Sequence, residues 1–129
     1  AISLNQGQIL TSPAIWHDPQ SGDWVFVVTQ RASVAYRVVT ESGGKTQLQQ
    51  AWRLGQGGSS PVVAGSVLFL TTGGGVTAHD PHDGHQLWSS AQDAAGGTIG
   101  GNHWQTPIVV DGRLYIADEQ AHVICYALP

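Results

Sequence analysis

VTAHDPHDGHQLW, residues 76 to 88, carries histidines at 79, 82 and 85. Three imidazoles at intervals of three would share one face of a helix and could hold a metal. The residues between them forbid that helix. Asp80-Pro81 suits entry into a turn, since Asp bonds the backbone that follows and Pro presets φ. Gly84 supplies a positive φ at no steric cost. The stretch therefore reads as strand Val76-Thr77-Ala78, a turn, and strand Gln86-Leu87-Trp88. In such a turn His82 points outward, His79 ends one strand and His85 begins the next. Zinc needs fixed ligand geometry with outer-shell support, so solvated turn histidines are expected here and no metal site.

The turn belongs to a repeat. TSPAIW at 11–16, SSPVVA at 59–64 and QTPIVV at 105–110 each give a small polar residue, proline and an apolar run. Their prolines, Pro13, Pro61 and Pro107, recur at intervals of 48 and 46 residues. Two further apolar runs follow each proline: Val25–Val28 and Val34–Val39, Val67–Leu70 and Val76–Ala78, Leu114–Ala117 and Val123–Tyr126. Gly65-Ser66 and Asp111-Gly112 are two-residue hairpin turns, the latter a strong signal; HDPQSGD serves the first unit. A fourth run ends in Trp52 and Trp88. Helical periodicity is absent. Four-stranded antiparallel units repeating every ~40–50 residues are the sequence sign of β-propeller blades. The fold class is all-β, with about three blades in one segment over residues 1–129 and units near 8–52, 59–92 and 103–129. Gln8–Leu10 is expected to extend the first strand; alternatively Ala1, Ser3, Gly7 and Leu10 echo the turn motif and would supply a fourth strand to a blade. The third unit stops at Leu128-Pro129 without its fourth strand.

Composition agrees. Glycine, at 17 of 129 residues, is about twice its usual ~7%, as short strands joined by tight turns require. Charged residues, at 11%, fall well below the usual ~25%, and the five bases are scattered. No basic stripe is present to neutralise phosphates, so nucleic acid is not an expected partner. No apolar run approaches the ~20 residues of a membrane span. The lone Cys125 excludes an internal disulfide and a cysteine metal cluster.

With the units in place, AHDPHDGHQLW resembles the A-x-D-x-x-x-G-x-x-x-W repeat of PQQ-binding-like, quinoprotein-type β-propellers, matched by Ala78, Asp80, Gly84 and Trp88. SPVVAGSVLFLTTGGGVTAHD extends the likeness upstream, and HWQTPIVVDGRLYIADEQAHVICYAL resembles a closing blade of the same superfamily. The resemblance implies that Trp88 packs against a neighbouring blade. It also implies that ligands enter from the face shared by the loops before the first strand and after the second. On that face lie Arg31, the Gly73–Gly75 turn, Asp118, Glu119, His103 and Trp104. Each has a plainer reading: Arg31 as surface charge, Asp118-Glu119 as a solvated turn, Trp104 as blade packing. Gly96-Gly97 and Gly100-Gly101 lack the strand-to-helix junction of a phosphate loop.

Three functions are compatible with the repeat, which serves enzymes and scaffolds alike. The first is a non-catalytic propeller that binds or scaffolds, with no cofactor. The second is a PQQ-dependent alcohol or sugar dehydrogenase. The resemblance would then imply PQQ over a tryptophan, calcium with carboxylate and amide ligands, an aspartate base and, in many members, adjacent cysteines, which a single cysteine cannot provide. The third is a carbohydrate- or peptide-binding propeller using Trp104. Three blades leave apolar faces at both ends, so the expected partners are other blades of a longer chain or a second copy, with a protein or small molecule in the channel. The resemblance implies export to the periplasm or beyond.

Overall fold

A computed structural model describes Leu4 and residues 7–92 and 99–127. Ala1 and Ser3, Gly96-Gly97 and Leu128-Pro129, which carry the turn echo, the glycine loop and the chain's last expected unit boundary, lie outside the described residues. Among the described residues there are eleven strands and one 3₁₀ turn, Ser90–Gln92. β1 (Ala14–Asp18), β2 (Gly22–Val28), β3 (Ser33–Thr40) and β4 (Thr46–Leu54) form one antiparallel sheet in sequence order. β5 (Val62–Ala64), β6 (Val67–Thr72), β7 (Gly75–His79) and β8 (Gln86–Ser89) form a second. β9 (Ile108–Val110), β10 (Arg113–Ala117) and β11 (Val123–Ala127) form a third, of three strands. The sheets are three propeller blades that do not close a ring.

The register shows why the repeats fold alike. Ala14 pairs with Phe26, Val62 with Phe69 and Ile108 with Tyr115. Across the next strand, Phe26 pairs with Ala35, Phe69 with Ala78 and Tyr115 with Cys125. These positions share one face of each sheet, the rear face. Because side chains alternate along a strand, Val25, Leu68 and Leu114 occupy the opposite, front face. Trp24, Phe26, Val28 and Ala35 on the rear of the first sheet pack on Leu68 and Leu70 at the front of the second. Phe69, Val76 and Ala78 on the rear of the second pack on Leu114, Ile116 and Tyr126 of the third. The middle sheet is thus covered twice, and β7 is buried along its whole length. A strand with two buried faces is apolar, as VLFL is, or has its polar groups hydrogen-bonded, as Thr77 and His79 of β7 are.

The end sheets show the complement. On the rear of the third, Ile108, Val110 and Val123 are exposed, Val123 to 74%. On the front of the first, Ile15 is exposed to the same degree.

Local chemistry sets the hairpins. Asp111 and Gly112 have φ of 49° and 69°, the two positive values of the tight turn that Asp-Gly favours. Gly65, at φ 60°, opens the corresponding turn of the second sheet. One expectation fails: Gln8–Leu10 does not extend β1, which begins at Ala14. Pro13 has no N–H to continue the ladder, and the preceding segment instead crosses the β2–β3 turn, where Gln30 N donates to Gln8 O at 3.3 Å.

Candidate functional site on the loop face

In each unit the segment before the first strand lies on the turn between the second and third. Besides Gln30 N to Gln8 O, Ser59 N donates to Thr71 O at 2.8 Å and Glu119 N to Gly101 O at 3.0 Å. The approach is close: a Cβ at Gly57 would stand 2.2 Å from the Gln30 carbonyl, and one at Gly58 2.0 Å from Thr71 O. Gly58 N also donates to Thr29 O of the first sheet at 3.1 Å. The buried Ser59 hydroxyl reaches the carbonyls of His103 and Gln105 at 2.9 and 3.2 Å. One short segment thereby ties all three blades together on this face.

The third blade presents the side chains. Gln105 Oε1 accepts from the backbone N–H of both His103 and Trp104, at 2.9 and 3.0 Å, so the loop is held from within. His103 Nδ1 pairs with Glu119 Oε1. Trp104 lies 6.3 Å from the His103 ring, is 60% exposed, and takes no part in either inter-blade cluster of the described residues.

Asp118 does different work. Its oxygens accept from the backbone N–H groups of Gly100, Gln120 and His122 at 3.0, 2.9 and 2.9 Å, and from His122 Nδ1 at 2.9 Å. These donors, the His122 N–H foremost, hold the buried carboxyl well below the usual carboxylate range. It anchors the turn, and its two oxygens already serve four donors. Arg31 lies on the equivalent turn of the first sheet, two blades away, with its N–H on Thr29 Oγ1 at 3.1 Å. The structure therefore brings His103, Trp104 and Glu119 together over Asp118, and leaves Arg31 apart.

Ser59, Asn102 and Gln105 were missed by the sequence reading. Asn102 is buried and donates to Ala117 O at 3.3 Å. Ser59 and Gln105 occupy the same place, two residues before the repeat proline, so the repeat itself held their signal.

Of the turn's histidines, His85 is exposed as expected, His82 is exposed yet engaged with the first blade, and His79 is not solvated. His79 is buried, with Nδ1 2.9 Å from Gly84 O and Nε2 2.9 Å from Thr77 Oγ1. Burial lowers its pKa, and because a carbonyl can only accept, Nδ1–H donates to Gly84 O. It sits on the front face, at the position Tyr36 and Tyr126 fill in the other sheets. His82 reaches the first blade. Its ring stands edge-on to Trp16 and Trp24 at 5.0 and 5.7 Å, and Nε2 lies 3.2 Å from Asp18 Oδ2. Its bond to Asp18, helped by Asp80, raises its pKa. The Ser21 hydroxyl, then His82 and nearby backbone N–H groups lower that of Asp18 to about 2. The same turn caps Trp52, whose indole N–H donates to Pro81 O at 2.8 Å. Gly84, at φ 77°, faces that ring so closely that a Cβ would lie 3.0 Å from it. The turn is an inter-blade fastener.

Among the described residues, no group of three or more His, Cys, Asp or Glu could hold a metal ion. Among the described residues, no helix is long and apolar enough to cross a membrane.

The family model described as outer membrane protein assembly factor BamB matches residues 5–128. No curated protein matches by sequence. Among solved structures, BamB from Moraxella catarrhalis is similar at a TM-score of 0.50 and 17% identity, over 95% of this chain and 47% of that one. The chain thus spans about half the length of that relative. The likeness at this identity is one of fold, whereas the family model covers nearly every residue, and on that match the chain belongs to the BamB family of PQQ-like β-propeller proteins.

Proposed function

We propose that this chain is a non-catalytic binding or scaffolding module of the bacterial periplasm, working at the outer membrane and engaging a protein partner through the loop face around Trp104. The family description, an assembly factor for outer membrane proteins, supports the setting. The observation that carries the reading is Trp104 itself. A large indole, 60% exposed, is held on a loop pinned by Gln105 and Ser59 and flanked by the His103–Glu119 pair. Tryptophans so presented dominate binding energy at interfaces, and the fixed loop lowers the entropy lost on contact. The apolar end faces are covered by other blades, of a longer chain or a second copy.

The test is a photo-cross-linking residue at position 104 in living cells, with one at the remote Leu48 as control. A cross-link from position 104 alone to a component of outer-membrane assembly, with at least tenfold weaker binding in Trp104→Ala, supports the proposal. A tightly bound chromophore and dye-linked alcohol or sugar oxidation on adding PQQ and calcium would overturn it. The exposed indole also suits a sugar ring. A glycan-array signal lost in Trp104→Ala would shift the reading to carbohydrate.

A further inference from the structure

The three units carry different residues at equivalent places on the loop face, and the third alone sets an indole beside a carboxylate there. Counting back from the repeat proline, His103-Trp104 stands where the second unit has Gly57-Gly58 and the first has Ile9-Leu10. By strand register, Glu119 stands where the others have Gly73 and Gln30. The first two blades fold without these side chains, so the repeat does not require them.

They are nonetheless held in place. Glu119 N donates to Gly101 O at 3.0 Å, and the carboxylate lies over that glycine, where a Cβ would stand 2.8 Å from Oε2. Gly100 lies under the same turn, its Cβ position 2.9 Å from Asp118 Oδ2. The Gly100-Gly101 pair, which lacks the setting of a phosphate loop, thus provides a bare floor. Glu119 Oε1 meets His103 Nδ1, and the imidazole lies beside the indole, at 37° to its plane. Among the described residues Glu119 Oε2 has no hydrogen-bond partner. No lysine or arginine neutralises this corner. Arg31, Arg37, Lys45 and Arg53 belong to the first sheet and its turns, and Arg113 opens β10 at the end away from Glu119. His122 directs its Nδ1 to Asp118 instead.

We propose that Trp104 and Glu119 receive an arginine side chain of the protein partner, its guanidinium lying on the indole face and donating to Glu119 Oε2. This rests on Trp104 being the partner contact and names what that contact holds. An exposed indole alone selects no charge, whereas the carboxylate beside it selects a cation. A cation over an indole gains from the ring quadrupole, and arginine is the usual one. Its planar fork suits stacking and carboxylate pairing together, and it is more weakly hydrated than an ammonium. His103 shows the same two contacts from within the chain: a flat ring beside the indole, with its Nδ1 on the carboxylate. The imidazole uses Oε1, so a guanidinium on Oε2 adds to the arrangement without dismantling it.

The experiment titrates capped Gly-X-Gly tripeptides into the whole chain, with X arginine, lysine or citrulline, the last matching arginine in shape without its charge. The readout is the indole N–H resonance of Trp104, identified by its absence in Trp104→Phe. Arginine should bind at least fivefold more tightly than citrulline and more tightly than lysine. Glu119→Gln, an exposed substitution, should weaken arginine binding at least fivefold and leave citrulline binding unchanged. Equal binding of arginine and citrulline, preference for lysine, or indifference to Glu119→Gln would overturn the proposal. In cells, Glu119→Gln should lower the cross-link yield from position 104 at least fivefold. A full yield in that variant would overturn the arginine contact while leaving Trp104 as the partner site. Selective arginine binding by a chain that gives no cross-link from position 104 would do the reverse.

Discussion

Replacing Gly84 by alanine isolates the energy of the inter-blade fastener, because the same change at Gly22 provides its control. Both glycines have strongly positive φ, 77° and 87°, so both substitutions place an L side chain in the left-handed region at about 1–2 kcal/mol. At Gly22 the new Cβ meets nothing within 4 Å, and the cost stops there. At Gly84 it lies 3.0 Å from Trp52 Cε3 and 3.1 Å from Cδ2. The ring is fixed on one side by Phe26, 6.0 Å away, and the turn is fixed by its own hydrogen bonds, so one must move. Overpacking of this kind costs about 1–3 kcal/mol. A displaced turn also loses the bond from Trp52 to Pro81 O, worth about 0.5–1.5 kcal/mol. Gly84→Ala should therefore cost about 1.5–4.5 kcal/mol more than Gly22→Ala. Urea unfolding followed by tryptophan fluorescence measures both. Equal losses would refute the reasoning, since they would mean that the turn does not rest on the indole.

The His82 contact should give a pH signature. Its raised pKa means the stabilisation is complete below the ordinary histidine value near 6.5 and is lost as pH rises through the higher folded value. The urea midpoint of the wild type should fall across that range relative to His82→Gln, in which His79 titrates unchanged; parallel profiles would contradict the contact. Asp118, with its pKa depressed, stabilises above the ordinary carboxylate value near 4 and ceases to as pH falls. Asp118→Asn should lower the midpoint at neutral pH and flatten the acid-side decline, and an unchanged acid limb would count against the anchoring role. Ser59→Ala removes the hydroxyl's bonds to the His103 and Gln105 carbonyls, worth about 0.5–1.5 kcal/mol each, and should lower the fluorescence anisotropy of Trp104; a rigid indole in that variant would show that Gln105 alone holds the loop.

The strands and their order were legible because two local signals agree: alternation with a period of two, and turns whose glycines and Asp-Gly demand positive φ. The prolines 48 and 46 residues apart then fixed the units. What could not be read was any contact whose partner depends on how sheets are stacked. His82 and Asp18 are 64 residues apart, and nothing in DPHDG says that the preceding blade brings two indoles and a carboxylate to meet it. The turn was recognised, while its histidines were read as solvated. Trp104 illustrates the same limit. Tryptophans stand near the end of the fourth strand in two units and are half-buried between blades there, but this one lies on the loop before the first strand. His103, Glu119 and Asp118 were placed on one face by the repeat. The division between an exposed pair and a saturated turn anchor emerged only from the hydrogen bonds.

One blade's rear face meets the next blade's front face, with the Asp80–Gly84 turn laid over Trp52. Nuclear Overhauser contacts of the Trp52 ring in solution test this directly. Cross-peaks from its Hε3 to the Gly84 α-protons, themselves shifted upfield by the ring, are the predicted result. A Trp52 ring with cross-peaks only to its own sheet, and Gly84 α-protons at ordinary shifts, would contradict it.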